Sequence, residues 1–271
     1  MRFPAAAVVA CVCCASGVHS FAQQASARVT AASSQASATP VIVELFTSEG
    51  CEDCPPADVV LARLIADQPI AGAEVIGLGE HVDYWDQLGW KDRFSSPALT
   101  NRQQVYGAQF NIDSVYTPQM VVDGRAQFVG SDSNAARKAI ERAAAVAHAT
   151  VRLALASPSE RSVAANVTVA DLPRLARGDR AEIHVAVTED HVTTDVKRGE
   201  NRGRTLTHAA VVRSLTTIGQ VAPDGHASVH AEIPLGGDWR RDQLKIVALV
   251  QEQHGRAILA AAAVSLQTAR R

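Results

Sequence analysis

The sequence predicts an α/β domain followed by an all-β, β-sandwich-like domain. Between residues 40 and 148, short apolar runs alternate with segments of helical spacing, as strands and helices do in an α/β chain. From Ala149 onward, apolar residues alternate with polar ones at period two, which is typical of half-buried strands in a sandwich. The length of 271 residues is ample for one or two such domains.

Composition and charge exclude several classes of function. The chain has 26 basic and 28 acidic side chains, a formal net charge of −2, and therefore no electrostatic footprint for nucleic acid or an anionic membrane. A hydrophobic fraction of 47% with 20% charged residues indicates a globular protein rather than a wholly disordered chain. We expect no nucleic-acid partner.

Residues 1–22 have the features of a secretory signal peptide. Arg2 is followed by an uncharged apolar stretch that is too short to span a bilayer and ends in small residues at Ala22. A lipoprotein-like box at Val8–Cys11 is disfavoured because the apolar run before it is very short. We expect a periplasmic or secreted protein with no stable membrane span after cleavage. Residues 23–39, rich in Ala, Ser, Gln and Thr, predict a disordered linker.

Cysteine usage points to chemistry rather than to a structural staple. Once the signal is removed, the chain keeps only Cys51 and Cys54, a single C-x-x-C pair. In the chain-entropy model, a bridge across so short a loop stabilises the fold by only about 2 kcal/mol. Redox chemistry is therefore the favoured interpretation, and metal binding and an inert bridge stay open as alternatives.

The cysteine pair lies where a predicted strand meets a predicted helix. Val41–Phe46 is an apolar run suited to a buried parallel strand, and the residues after Cys54 have helical spacing. The helix N-terminus favours a thiolate on Cys51, while Cys54 lies one turn inside, where it can resolve a mixed disulfide. Glu52 and Asp53 act in the opposite direction, so the sign of the net pKa shift of Cys51 stays open.

The other elements of the α/β half follow in order. Ala73–Glu80 predicts a second strand, and a helix is predicted from Ser96 to Phe110. Asp123-Gly124 is a strong hairpin signal between apolar segments, and a last helix is predicted from Ala135 to Ala147 after two capping residues.

This order of elements resembles the thioredoxin fold over residues 40–148: strand, C-x-x-C at a helix start, strand, helix, Thr-Pro before a hairpin, and a closing helix. Four motifs further resemble a bacterial family of exported thioredoxin-like proteins of unassigned function: ELFTSEGCEDCPPAD, HVDYWDQLGWKD, VYTPQMVVDGRAQFVGSD and GENRGRTLTH. The resemblance implies a thioredoxin-like domain at 40–148, a β-sandwich-like domain at 149–271, and thiol-disulfide chemistry without a named substrate. Glu-Asp between the cysteines replaces the usual Gly-Pro, which leaves the redox potential open.

In such a topology, the loops after the first two strands and the segment before the hairpin meet at one edge of the sheet, where ligands bind in open α/β sheets. The resemblance also implies a cis bond at Thr117-Pro118 and pairing of the Thr117 backbone with an extended substrate. For His81, Tyr84 and Trp85, packing roles are the alternative. The predicted site combines two catalytic cysteines with six substrate-binding residues: Cys51, Cys54, His81, Asp83, Tyr84, Trp85, Thr117 and Pro118.

Three further features have more than one interpretation. Glu44 either accepts a proton, as the buried carboxylate of thioredoxins does, or faces outward. The segment with Trp90, Lys91 and Arg93 indicates a solvated loop. Residues 197–204 (KRGENRGR) are typical of a solvated hairpin loop, and docking over the cysteine pair is the alternative.

Two function classes follow from these features. The leading one is an exported thiol-disulfide oxidoreductase that acts on protein or small-molecule thiols and disulfides without a cofactor. The alternative is a metal-binding or delivery module in which Cys51, Cys54 and His81 bind copper. The sequence leaves the direction of the redox reaction and the oligomeric state open.

Overall fold

A computed structural model describes residues 30–31, 38–156 and 158–266 of the chain. The predicted signal peptide lies outside the described residues, as does most of the predicted linker. Where the structure describes that linker, the prediction of disorder is wrong for Thr30–Ala31, which pair with Leu155 and Ala154 as a short strand, and for Thr39, where the next strand begins. The α-helices in the described ranges are α1 (Cys54–Asp67), α2 (Pro97–Gln109) and α3 (Ser133–Ala144), and a 3-10 helix spans Arg241–Gln243. The strands are β1 (Thr30–Ala31), β2 (Thr39–Thr47), β3 (Ala73–His81), β4 (Gln119–Val122), β5 (Ala126–Val129), β6 (Thr150–Ala156), β7 (Ser162–Ala170), β8 (Ala181–Glu189), β9 (Val192–Asp195), β10 (Thr205–His208), β11 (Val211–Gln220), β12 (Ala227–Pro234), β13 (Leu244–Glu252) and β14 (Ile258–Ser265).

One eight-stranded sheet runs through the molecule in the order β14-β13-β8-β11-β3-β2-β4-β5. β2 and β3 are parallel, so both end at the same edge, and β4 is antiparallel to β2. The sheet crosses the predicted boundary at 148/149 because β11 pairs with β3 in parallel through Val211 and Gly79. The thioredoxin-like class of residues 40–148 and the separate domain at 149–271 stay predictions.

The helices cover the β2–β5 part of this sheet on both faces. α1 and α3 pack against Val43, Leu45 and Met120 and form one apolar cluster with them. α2 packs on the opposite face, where Leu99 joins one cluster and Tyr106 another. This arrangement follows from the sequence, since strands buried on both faces carry nearly continuous apolar runs.

A second sheet, β1-β6-β7-β12, packs against the far part of the large sheet. Its strands are covered on one face, as in β12, where half-buried and exposed residues alternate, whereas β8 and β13 are buried almost throughout. The period-two alternation in the sequence corresponds to these half-covered strands. β9 and β10 form a separate two-stranded hairpin.

The local predictions for the first half are confirmed within a few residues at each element boundary. The turn between β4 and β5 has positive φ at both Asp123 (45°) and Gly124 (62°), as the hairpin signal requires. Asp132 caps α3 by accepting a hydrogen bond from Ala135 N. The Thr117–Pro118 peptide bond is cis, as predicted.

Candidate functional site

Cys51 and Cys54 lie at the junction between β2 and α1 and are joined by a disulfide bond. Cys51 lies in the turn after β2, and Cys54 is the first residue of α1. Their Cα atoms are 5.4 Å apart. Cys51 is 1% exposed and Cys54 is 0% exposed, so the disulfide is closed off from solvent.

Trp85 connects the segment with Thr117 and Pro118 to residues 48–53, which form the cysteine turn between β2 and α1. Its Nε1 donates a hydrogen bond of 2.8 Å to Oγ1 of Thr117, the residue before the cis proline. Its Cβ lies close to Gly50, where an added Cβ would approach it to 3.2 Å. The structure therefore brings Trp85, Thr117 and Pro118 together with the turn that precedes Cys51.

Asp83 and Tyr84 contact α2 instead of the disulfide. The Thr100 hydroxyl donates to Asp83 Oδ1 (2.6 Å), and Tyr84 OH donates to Gln103 Oε1 (3.2 Å). Tyr84 keeps 38% of its surface exposed. These contacts fix the loop after β3 on α2, and the substrate-binding roles of both side chains stay predictions.

His81 is buried at the end of β3 and forms a pair with Asp92. Its Nδ1 lies 2.6 Å from Asp92 Oδ2. Asp92 also accepts backbone hydrogen bonds from Glu49 and Phe94, both at 2.9 Å. Burial alone would raise the pKa of Asp92, but His81 and these backbone donors lower it to about 2. Asp92 thus fixes His81 and the residues before Cys51 at the same time.

His208, at the end of β10, lies between two carboxylates beside the disulfide segment. Its Nδ1 is 3.3 Å from Asp58 Oδ2, and its Nε2 is 3.5 Å from Glu49 Oε1. Neither ring nitrogen of His208 forms a hydrogen bond, so both contacts are ion pairs. Burial would lower the pKa of His208, but the two carboxylates outweigh it and raise the pKa to about 10. The His208 ring also meets the edge of the His81 ring at a centroid distance of 4.8 Å.

Residues 197–204, the covering loop, dock on the cysteine turn. Asn201 is completely buried, and its Nδ2 donates to the carbonyl oxygens of Glu49 (2.9 Å) and Cys51 (2.8 Å). Glu200 accepts a hydrogen bond from the backbone N–H of Glu52 (3.1 Å). The loop joins the paired strands β9 and β10 and is mostly exposed, as the hairpin-loop interpretation predicts, while its buried Asn201 docks it on the cysteine turn.

Trp90 takes part in the same contact and is half-buried, so the solvated-loop interpretation is wrong for this residue. Its Nε1 donates to Glu49 Oε2 at 2.8 Å. Gly199 of the covering loop has a φ of 74° and approaches Trp90 so closely that an added Cβ would lie 3.0 Å from the Trp90 Cβ. Lys91 and Arg93 are exposed, as expected.

Glu44 faces inward and is paired. The Arg102 guanidinium lies 2.6 Å from Glu44 Oε1, and Tyr106 OH donates to Glu44 Oε2 at 2.6 Å. Glu80 lies 3.4 Å from Arg102, and burial together with the neighbouring Glu44 raises the pKa of Glu80 well above its usual range. This cluster lies under α2 and contains neither cysteine.

Sequence reasoning missed four residues that surround the cysteine turn: Glu49, Asp92, Asn201 and His208. Each lies inside one of the quoted motifs, since Glu49 belongs to ELFTSEGCEDCPPAD, Asp92 ends HVDYWDQLGWKD, and the other two belong to GENRGRTLTH. Within the described ranges, no group of three or more His, Cys, Asp or Glu side chains is arranged to hold a metal ion. The copper site expected at Cys51, Cys54 and His81 is therefore not assembled in this structure.

Fold and site together define a mixed α/β protein with a C-x-x-C disulfide at a strand–helix junction. The chain belongs to the DUF1223 family of proteins of unknown function, whose model matches residues 42–251. Among solved structures, it is similar to an X-ray structure of an Agrobacterium tumefaciens protein, with 27% identity, a TM-score of 0.63 and coverage of 86% of this chain and 97% of that one.

A domain of the outer membrane lipoprotein Omp28 from Porphyromonas gingivalis is a more distant neighbour, with 11% identity, a TM-score of 0.29 and coverage of 45% of this chain and 90% of that one. A search of curated proteins found no match. Across the part of the chain that the structure describes, no helix is long and apolar enough to cross a membrane.

Proposed function

We propose that this protein is an exported thiol-disulfide oxidoreductase with a thioredoxin-like catalytic half. The observation that carries the proposal is the Cys51–Cys54 disulfide at the first turn of α1, connected through Trp85 to the segment with Thr117 and Pro118. A helix N-terminus stabilises the thiolate that forms when such a disulfide opens. The signal-like N-terminus supports an oxidising compartment, where a disulfide persists.

From the oxidised state, the exchange takes two steps. A substrate thiolate attacks Cys51 Sγ, the Cys51–Cys54 bond breaks, and Cys54 leaves as a thiolate while a mixed disulfide forms. A second substrate thiolate then attacks the substrate sulfur of the mixed disulfide and releases Cys51. The substrate loses two electrons and gains a disulfide, and the cysteine pair gains two electrons. The reverse sequence reduces a substrate disulfide.

Access to Cys51 requires movement of the covering loop, because the attacking thiolate must reach Cys51 Sγ and Cys51 is buried. Once the loop has moved, Trp85, Thr117 and Pro118 would form the wall on which an extended substrate lies. We assign His81, Asp83 and Tyr84 to positioning this wall. The substrates are protein or small-molecule thiols and disulfides.

The test uses reduced protein and glutathione disulfide, followed by intact mass. Wild type should return to the Cys51–Cys54 disulfide and release two glutathione molecules. Cys54→Ser should stop at one glutathionyl adduct, because nothing resolves it, and Cys51→Ser, the matched control, should form none or far less. Equal adduct formation by the two variants would contradict the assigned roles. Stoichiometric copper on the reduced wild type, with no exchange, would support the metal alternative instead.

A further inference from the structure

A cavity of about 440 Å³ lies on the α2 side of the sheet. Its walls are the first half of α2, the loop before α2, and residues of β8 and β11. Among the described residues that line it, none belongs to the predicted cysteine site. Its volume falls within the range of small-molecule sites, about 300–1,000 Å³.

The charged side chains that line the cavity carry one sign. Among the described lining residues there is no Asp or Glu. Two of the lining arginines pair with carboxylates that lie outside the lining. Glu44 pairs with Arg102, and Glu189 and Asp238 contact Arg213 at 3.4 and 3.3 Å. The other two lining arginines, Arg93 and Arg256, form no ion pair within residues 38–156 and 158–266. The four lining arginines are Arg93, Arg102, Arg213 and Arg256.

Two buried nitrogens in the lining have no hydrogen-bond partner within the described chain, His184 Nε2 and Arg256 Nε; the first is a donor in the tautomer whose Nδ1 accepts from the Thr217 hydroxyl. His184 uses its other nitrogen, Nδ1, toward Thr217 Oγ1 at 3.0 Å, and Glu182 Oε2 remains 3.6 Å from Nε2. Burial, followed by the charges of Arg102 and Arg256, lowers the pKa of His184 to about 3, so the ring is neutral in an electropositive setting. An unpaired buried donor is costly, and a bound acceptor would remove that cost.

Aromatic and aliphatic side chains complete the lining. The Arg213 guanidinium lies 5.2 Å from the ring centres of both Phe94 and Trp239, which restricts it before any ligand binds. Leu99 and Leu215 add apolar surface. A cavity with arginine forks and apolar walls suits a carboxylate on a carbon skeleton better than an inorganic anion.

We propose that this cavity binds a small organic acid. Its carboxylate accepts hydrogen bonds from Arg256 and His184 Nε2, and its carbon skeleton lies against Trp239 and Leu215. The proposal is independent of the cysteine chemistry, because the cavity and the disulfide share no lining residue in the described chain.

Isothermal titration calorimetry with succinate, citrate, benzoate and inorganic phosphate tests the proposal on the wild-type protein. We expect saturable one-to-one binding of at least one carboxylate, tighter than that of phosphate. Arg256→Gln should weaken it about tenfold or more, since a charge-assisted hydrogen bond is lost. Arg63→Gln, on the exposed face of α1, is the matched control and should bind as wild type does.

A second variant and a second readout keep the test decisive if Arg256→Gln folds poorly. Arg213→Gln should also weaken binding, and the imidazole signals of His184 should shift on titration while those of the exposed His226 do not. The double variant Cys51→Ser/Cys54→Ser should bind as wild type does, which separates this site from the proposed redox function. Absence of saturable binding by all three carboxylates at millimolar concentration, binding unaffected by both arginine variants, or phosphate binding as tightly as the carboxylates would overturn the proposal.

Discussion

At the residue scale, the cysteine turn is held by single polar side chains from distant parts of the chain. Asp92 fixes both His81 and the backbone of Glu49, and His208 carries its charge between Glu49 and Asp58. Buried charges of this kind are stabilising only when their partners are present. The ion pairs of His208 therefore make stability depend on pH.

His208 should stabilise the oxidised protein below pH 6.5 and lose this effect as the pH rises toward 10. Its pKa is about 10 in the folded protein and near 6.5 when unfolded, so deprotonation on the alkaline side favours unfolding. Urea unfolding of wild type should therefore show a loss on the order of a few kcal/mol between pH 6 and pH 9. The His208→Gln variant should lose much less over this range. The exposed His226→Gln is the control, and an identical pH dependence in His208→Gln and wild type would contradict the ion-pair assignment.

Residue-level prediction from the sequence reached the cysteines and the cis proline. C-x-x-C is a local signature that is recognisable without knowledge of distant contacts, and the cis state of Thr117–Pro118 is implied by the resemblance to the thioredoxin fold. Asn201 has no such signature, since a polar residue in a Gly-rich basic segment looks solvated. Its buried role depends on a contact with Cys51, 150 positions earlier in the chain.

At the element scale, the covering loop is held on the turn that carries Cys51. It connects β9 to β10, and its contacts to the cysteine turn are hydrogen bonds rather than apolar packing. Few apolar contacts are typical of segments that open locally at low cost. We therefore expect the loop to open before the rest of the fold.

Asn201→Ala should accelerate reduction of the Cys51–Cys54 disulfide by dithiothreitol by about tenfold, because two hydrogen bonds that hold the loop closed are removed. The measurement is the rate of thiol release under native conditions. Asn134→Ala, at an exposed position of α3, is the matched control. A rate equal to that of wild type would show that the loop does not limit access.

Element prediction succeeded where the periodicity was clear and missed strands where it was not. β14 has the sequence ILAAAAVS, which is apolar throughout and does not alternate. β11 (VVRSLTTIGQ) mixes polar and apolar residues without a steady period. Their places in the sheet are set by pairing with distant strands, a non-local contribution that a local pattern does not contain.

At the scale of the whole molecule, the two halves, residues 38–148 and 149–266, share one sheet. Gly79 N donates to Ala210 O (2.7 Å), Ile258 N donates to Asp123 O (2.8 Å), and Arg102 donates to Gln251 (3.0 Å). These contacts join the β3 edge, the β4–β5 turn and the buried cluster under α2 to the second half. The described residues on both sides of position 149 thus share one sheet and one buried charged cluster, although the sequence pattern changes there.

Unfolding in urea should accordingly be a single transition. In a Trp85→Phe/Trp90→Phe variant the remaining tryptophan, Trp239, reports on the second half, while far-UV circular dichroism is dominated by the three α-helices, which all lie in the first half. Coincident midpoints are expected, because separate unfolding would expose the β3 edge and the buried charges under α2. Two resolved transitions would indicate independent domains.

The central claim is that the Cys51–Cys54 bond is a working redox couple, and equilibrium titration of the wild-type protein in glutathione buffers, extended with dithiothreitol buffers to more negative potentials, tests it most directly. Thiol alkylation followed by intact mass gives the fraction reduced at each potential. The account predicts one reversible two-electron transition with a midpoint between about −270 and −120 mV, the range of known thiol-disulfide oxidoreductases. A midpoint below about −300 mV, where structural disulfides lie, or a bond that stays closed in excess dithiothreitol, would contradict it.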